Sequence, residues 1–167
     1  VDKSTFHNCG EKSYQHIFIF HRERDGDRIG HTETMTIQEL IEKAAELQIS
    51  LSEIQVKQLE QYAQLLAEWN EKMNLTAITE YGEILEKHFY DSILPLGKAK
   101  IFGKVADVGT GAGFPGLVWK IVKPELDVSL IEPTGKRCTF LEEVIHQLHL
   151  ENIHVYNTRA EEQVKTD

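Results

Sequence analysis

Ten residues constrain this chain more than any others. Asp107-Val-Gly-Thr-Gly-Ala-Gly-Phe-Pro-Gly116 sets an acid and four glycines directly after the short apolar run that begins at Val105. Leu117 to Val122 then reads as a helix that stops before Pro124. This is a strand that hands over to a helix through a glycine loop. Glycines at such a handover permit a tight turn and let backbone N–H groups come close to a ligand. The start of the helix adds partial positive charge.

The pattern around the loop extends this reading. Lys104 to Gly109, Asp127 to Glu132 and Ile153 to Tyr156 read as strands. Thr134 to Leu150 reads as a helix with Phe140, Leu141, Val144, Ile145 and Leu148 on its buried face. Strands alternating with helices imply a parallel sheet built from right-handed crossovers.

Upstream the period is helical. Thr36 with Glu39 forms a capping-box start, followed by Ile37, Leu40, Ile41, Ala44 and Ala45 at helical spacing. Ser50 with Glu53, or Ser52 with Gln55, starts a second helix, with Leu59, Tyr62, Ala63, Leu66 and Trp69 on one core stripe. Asn70 to Asn74 ends it. Thr79 starts a third helix through Ile84, Leu85 and His88 towards Tyr90, and Pro95 and Gly97 break the pattern. Residues 1–34 hold four of the eight histidines and no sustained period. They are expected to be irregular and to add little to the fold, with Met35 as the natural start; a genuine N-terminal extension is the other reading. The chain therefore divides into 1–34, a helical cap over 35–100, and an α/β unit over 101–167.

Composition narrows the function. No apolar run approaches the roughly 20 residues of a membrane helix, and no cleavable signal pattern is visible. Cys9 and Cys138 make neither a disulfide framework nor a metal site, which fits a reducing cytoplasm. A net charge of −9 argues against binding nucleic acid through the whole surface. Contact with phosphates would need a local basic patch, for which Lys120, Lys123, Lys136 and Arg137 are the candidates, or a partner that supplies contacts. His146 and His149 lie three apart on one helix, but metal ligation needs further ligands, so a solvated or packing role is expected. Cys138 is read as a packing residue.

Glu132 ends the second strand, where a carboxylate can accept hydrogen bonds from ribose hydroxyls. Two cofactors fit. Gly111, Gly113 and Gly116 match G-x-G-x-x-G, which admits a nicotinamide dinucleotide. Asp107, Gly109, Gly111 and Gly113 match acid-x-G-x-G-x-G, the first motif of class I methyltransferases. Adenosylmethionine carries an ammonium and a sulfonium, whose charge Asp107 can offset, whereas a pyrophosphate would be repelled. A tight turn without a ligand is the remaining alternative.

From Met35 onward the chain resembles the bacterial small-subunit rRNA guanine-N7 methyltransferases, the glucose-inhibited division protein B family. The residues that carry the resemblance are Trp69-Asn70, Asn74-Leu-Thr-Ala-Ile78, Lys87-His-Phe-Tyr-Asp-Ser92, Asp107 through Gly116, Gly135-Lys-Arg137, Phe140-Leu141, Leu150-Glu-Asn152 and Arg159-Ala-Glu-Glu162. The resemblance implies a helical cap on a Rossmann-like methyltransferase domain. It implies adenosylmethionine as donor and a guanine of 16S rRNA, free or in the small ribosomal subunit, as acceptor. By position it places Gly109 and Phe114 at the cofactor, and Ala160 and Glu161 at its adenine end. Asn74, His88 and Asp91 belong to the family signature, with roles in RNA contact or in packing the cap; Asn74 as a buried turn residue is the plainer reading.

Three strands are legible, where such a sheet normally has seven. The expectation is a sheet cut short after Tyr156, with Lys104 to Val108 as an exposed edge that invites association and weakens donor binding. When complete, such a protein is expected to be a monomer. A nicotinamide oxidoreductase and a non-catalytic remnant are the alternatives to the methyltransferase. No catalytic acid–base pair is expected, because guanine N7 has a free lone pair and no proton.

Overall fold

A computed structural model of the chain describes residues 34–159, together with the backbone of residues 5–7 and 16–19. Helix α1 (Ile37–Glu46) starts at the Thr36/Glu39 capping box, with both reciprocal bonds present. Helix α2 (Glu53–Met73) starts at Ser52 and Gln55, which decides between the two possible starts. Gln55 does more than cap. Its Nε2 also donates to the carbonyls of Ile121 and Val122, both at 3.0 Å, and ties α2 to a helix 66 residues away.

The third helix differs from expectation. A single turn, α3 (Tyr81–Glu83), runs into a π-helical segment Ile84–Tyr90 and on into α4 (Asp91–Lys98), so Pro95 lies inside the helix. Pro95 has no N–H to donate, and widened π turns are one way a helix absorbs such a change of register. Side chains serve the carbonyls nearby: Ser92 Oγ donates to His88 O at 2.6 Å, and Trp119 Nε1 donates to Ser92 O.

The sheet has five strands in the order β1 (Thr5–His7), β2 (His16–Ile19), β3 (Lys104–Val108), β4 (Asp127–Ile131) and β5 (Ile153–Tyr156). β2 to β5 run parallel, and β1 is antiparallel to β2. The three strands read from the sequence are thus β3, β4 and β5, with α5 (Gly116–Val122) and α6 (Gly135–Gln147) as their crossovers. Two expectations change here. β3 is not an edge, because β2 pairs with it from His16↔Val105 to Ile19↔Val108 and satisfies its outer backbone groups. Residues 5–7 and 16–19 are strand rather than irregular. Strands of three and four residues are too short to show a period of two.

One apolar core joins the cap to the α/β unit. Leu59, Tyr62 and Leu66 of α2 are fully buried with Leu117, Trp119 and Phe140 of α5 and α6. No helix among the described residues is long and apolar enough to cross a membrane.

Candidate functional site

The sheet places two carboxylates at its carboxyl end. Asp107 pairs with Leu130 in the β3–β4 register, and beyond the strands Gly109 N still donates to Ile131 O at 2.8 Å. Glu132 N donates to Tyr156 O at 3.0 Å, so the end of β4 is held between the glycine loop and the end of β5. Asp107 is 1% exposed and Glu132 is 2% exposed.

Each acid is half satisfied. Asp107 Oδ2 accepts from Thr110 Oγ1 at 2.6 Å and from Gly116 N at 2.9 Å. Glu132 Oε1 faces Arg137 Nη1 at 3.3 Å. Asp107 Oδ1 and Glu132 Oε2 are buried with no hydrogen-bond partner. Burial pushes the Asp107 carboxyl up to about 7; the bonds from Thr110 and Gly116 oppose this, and the charge of Glu132 adds to it. Buried polar atoms are almost always paired, so two such orphans at one end of the sheet are an unusual concentration of unmet acceptors.

The glycines divide by task. Gly109 and Gly111 hold φ of +71° and +61°, and a Cβ on either would meet nothing within 4 Å. The loop is open on that side, which leaves room for a ligand against its backbone. Gly113, at φ +103°, faces inward, where a Cβ would strike Leu117 and the Tyr62 hydroxyl. Gly116 lies against Asp107 and Leu130, and its N–H is taken by Asp107. The first amide of α5 is therefore spent on a carboxylate of the chain itself, which disfavours a pyrophosphate at that place.

The cap grips the loop. Tyr62 Oη donates to Ala112 O, and the Tyr62 ring stacks on Phe114 at 5.5 Å and on Phe89 at 5.3 Å. His88 is buried, lies flat on Phe114 at 4.2 Å and 4°, and exchanges a hydrogen bond with Thr76 Oγ1 at 2.9 Å. Phe114 is thus shared between the loop and the cap. Sequence reading found Tyr62 only as one member of a core stripe. Its hydroxyl was the signal, because a buried phenol needs an acceptor. Tyr62→Phe keeps the rings and removes that bond. It is expected to lower stability by about 1–2 kcal/mol, read as a fall in the urea midpoint; an unchanged midpoint would show that the clamp adds nothing.

Other candidates lie elsewhere. Asn74 is exposed and caps α2 in the left-handed region at φ 48°. The buried polar residue of that turn is Asn70, whose Oδ1 accepts from Thr76 N at 2.7 Å. Asp91 is exposed at the start of α4, and Lys136 is exposed on α6. The four-residue basic patch does not form. Lys120 is 2% exposed and donates to Pro124 O and Leu126 O, and burial lowers its ammonium pKa. Lys123 donates to Ile101 O at 2.6 Å, and Arg137 is turned to Glu132. Cys138 is buried, its Sγ donates to Glu132 O at 3.3 Å, and burial pushes its thiol up, which suits packing and not nucleophilic attack. Among the described residues no cluster of three His, Cys, Asp or Glu is placed to hold a metal ion. Ala160 and Glu161 lie outside the described residues.

The comparisons with known proteins agree with the methyltransferase pattern. The family model described as rRNA small subunit methyltransferase G matches residues 55–167. The chain belongs to this family. Relatives named ribosomal RNA small subunit methyltransferase G, from Streptococcus sanguinis (strain SK36) and Lactococcus lactis subsp. cremoris (strain SK11), are each 47% identical over 131 residues, covering 77% of this chain and 55% of the relative. One of the same name from Streptococcus pneumoniae serotype 19F (strain G54) is 49% identical over 121 residues, covering 71% of this chain and 51% of the relative. The chain spans about half the length of the curated relatives it matches. Family membership sets aside the nicotinamide reading of the glycine loop.

Proposed function

We propose that this chain carries the donor site of an adenosylmethionine-dependent methyltransferase acting on N7 of a guanine in 16S rRNA, free or within the small ribosomal subunit, in the cytoplasm. The observation that supports it best is the pair of buried, unpartnered oxygens, Asp107 Oδ1 and Glu132 Oε2, beside the open face of Gly109 and Gly111. Adenosylmethionine matches this set group for group. Its ribose presents two hydroxyl donors for Glu132, and its amino-acid end presents a cation for Asp107. Bound there, it supplies a methyl group already activated on a positive sulfur.

The residues of the chain then bind and orient. Glu132 accepts from the ribose hydroxyls. Asp107 offsets positive charge near the loop. Gly109 and Gly111 let the backbone approach, and Phe114, held by His88 and Tyr62, fixes the loop's far side. None of them has to move a proton, because guanine N7 offers its lone pair directly. Catalysis in this reading is alignment of nucleophile, methyl and leaving sulfur.

Glu132→Ala tests the assignment. Losing hydrogen bonds to a charged acceptor should cost about 1.5–3 kcal/mol of adenosylhomocysteine binding in calorimetry. Equal affinity for the two proteins would remove Glu132 from the site, and binding of NADH in place of adenosylhomocysteine would remove the whole reading.

A further inference from the structure

Arg137 reads from the sequence as part of a basic patch, but its side chain is turned to an acid. It lies in the first turn of α6 with its side chain 41% exposed, yet its guanidinium turns inward to a carboxylate that is 2% exposed. A half-exposed arginine has water available and gives it up here for one oxygen of Glu132. Glu132 needs that partner. Asp107, which pairs with Leu130 two residues before Glu132, is itself buried, and the charge of Glu132 raises its carboxyl further. Also on α6, the Cys138 thiol donates to the Glu132 backbone carbonyl and not to its carboxylate. Among the described residues, Arg137 is the cation that pairs with this acid.

We propose that Arg137 is a positioning residue for the donor's ribose. It holds Glu132 turned, pinning Oε1 so that Oε2 and the second lone pair of Oε1 face the ribose hydroxyls. A guanidinium suits this task because it stays charged at every working pH and donates in a fixed plane. A carboxylate oxygen accepts two hydrogen bonds, so Arg137 and a ribose hydroxyl can share Oε1 without either leaving. Without Arg137, Oε1 loses its pinning contact and the buried carboxylate is no longer held in the orientation that a diol needs. This inference rests on the donor site proposed above.

The test compares two ligands on three proteins. Adenosylhomocysteine and its 2′,3′-dideoxyribose analogue are titrated by calorimetry into the unaltered chain, Arg137→Met and Arg137→Lys. Arg137→Met should weaken adenosylhomocysteine about tenfold, the size expected for about 1.4 kcal/mol, and leave the dideoxy analogue unchanged. Arg137→Lys should recover part of the loss, since it restores charge without the fork. Equal weakening of both ligands would mean that Arg137 only supports the pocket, and no weakening would mean that it plays no part; either overturns the proposal. If the unaltered chain holds both ligands equally well, or neither, the donor-site reading itself has failed, and that result is separate from any effect of Arg137.

Discussion

Gly113→Ala is expected to destabilise the chain by about 3–5 kcal/mol, while Gly109→Ala costs about 1–2 kcal/mol, although both glycines belong to one loop and both have positive φ. The difference lies in what surrounds them. At Gly113 the strain of φ +103° for an alanine is joined by a collision with Leu117 and the Tyr62 hydroxyl. Tyr62 cannot retreat easily, because its ring stacks on both Phe89 and Phe114 and its hydroxyl holds Ala112 O. At Gly109 a methyl group enters open space and meets only the backbone preference. Donor binding should follow the opposite order of cause. Gly109→Ala should leave a folded protein that binds adenosylhomocysteine poorly, because its methyl stands where the ligand approaches. Urea midpoints and calorimetry on the two variants separate these outcomes. Equal midpoints would show that the cap does not press on Gly113 as described.

Much of this site was legible because its chemistry is written in short spacings. Asp107, the glycines and Glu132 lie where strands end, and the alternation of strand and helix is enough to bring strand ends together. The capping boxes at Thr36 and Ser52 were legible for the same local reason, although only packing chose Ser52 over Ser50, through the reach of Gln55 to Ile121 and Val122. What stayed hidden depends on partners distant in sequence. Lys120, Lys123 and Arg137 looked like a basic surface. Two of them serve backbone carbonyls and the third an acid, and no spacing rule reports which way a long side chain turns. Pro95 looked like a helix end. The helix carries it, with a π segment before it and Ser92 and Trp119 serving neighbouring carbonyls. The pairing of β2 with β3 was hidden for another reason: the strand has four residues and its partner lies about 90 positions away.

Asp107→Asn is expected to make the chain more stable and a worse donor binder, and the gain in stability should grow with pH. The Asp107 carboxyl is raised from 3.8 to about 7 by burial. Below about pH 4 the folded and unfolded chains both hold this proton, and the acid has no cost. Between about 4 and 7 the folded chain keeps a proton that the unfolded chain has released, so stability falls as pH rises. Above about 7 the folded chain carries the buried charge, and the accumulated penalty is about 4 kcal/mol at 1.36 kcal/mol per unit. Asparagine avoids it. Its amide oxygen can still accept from Thr110 Oγ1 and Gly116 N, and its NH2 replaces the unpartnered Oδ1. From pH 5 to pH 8 the stability of the variant should therefore rise relative to the parent by about 2–3 kcal/mol, measured as unfolding free energies in urea. The parent's acid is retained against this penalty, which is what a site for a cationic ligand requires. A cation placed near Asp107 draws its pKa down, so the donor should bind the parent more tightly at pH 8 than at pH 6, with release of a proton. The variant, with nothing to ionise at this position, should lose that pH dependence along with most of its affinity. A stability gap that does not change with pH would mean that Asp107 is already ionised and paired in the folded chain, and would remove both the penalty and the charge-offset role built on it.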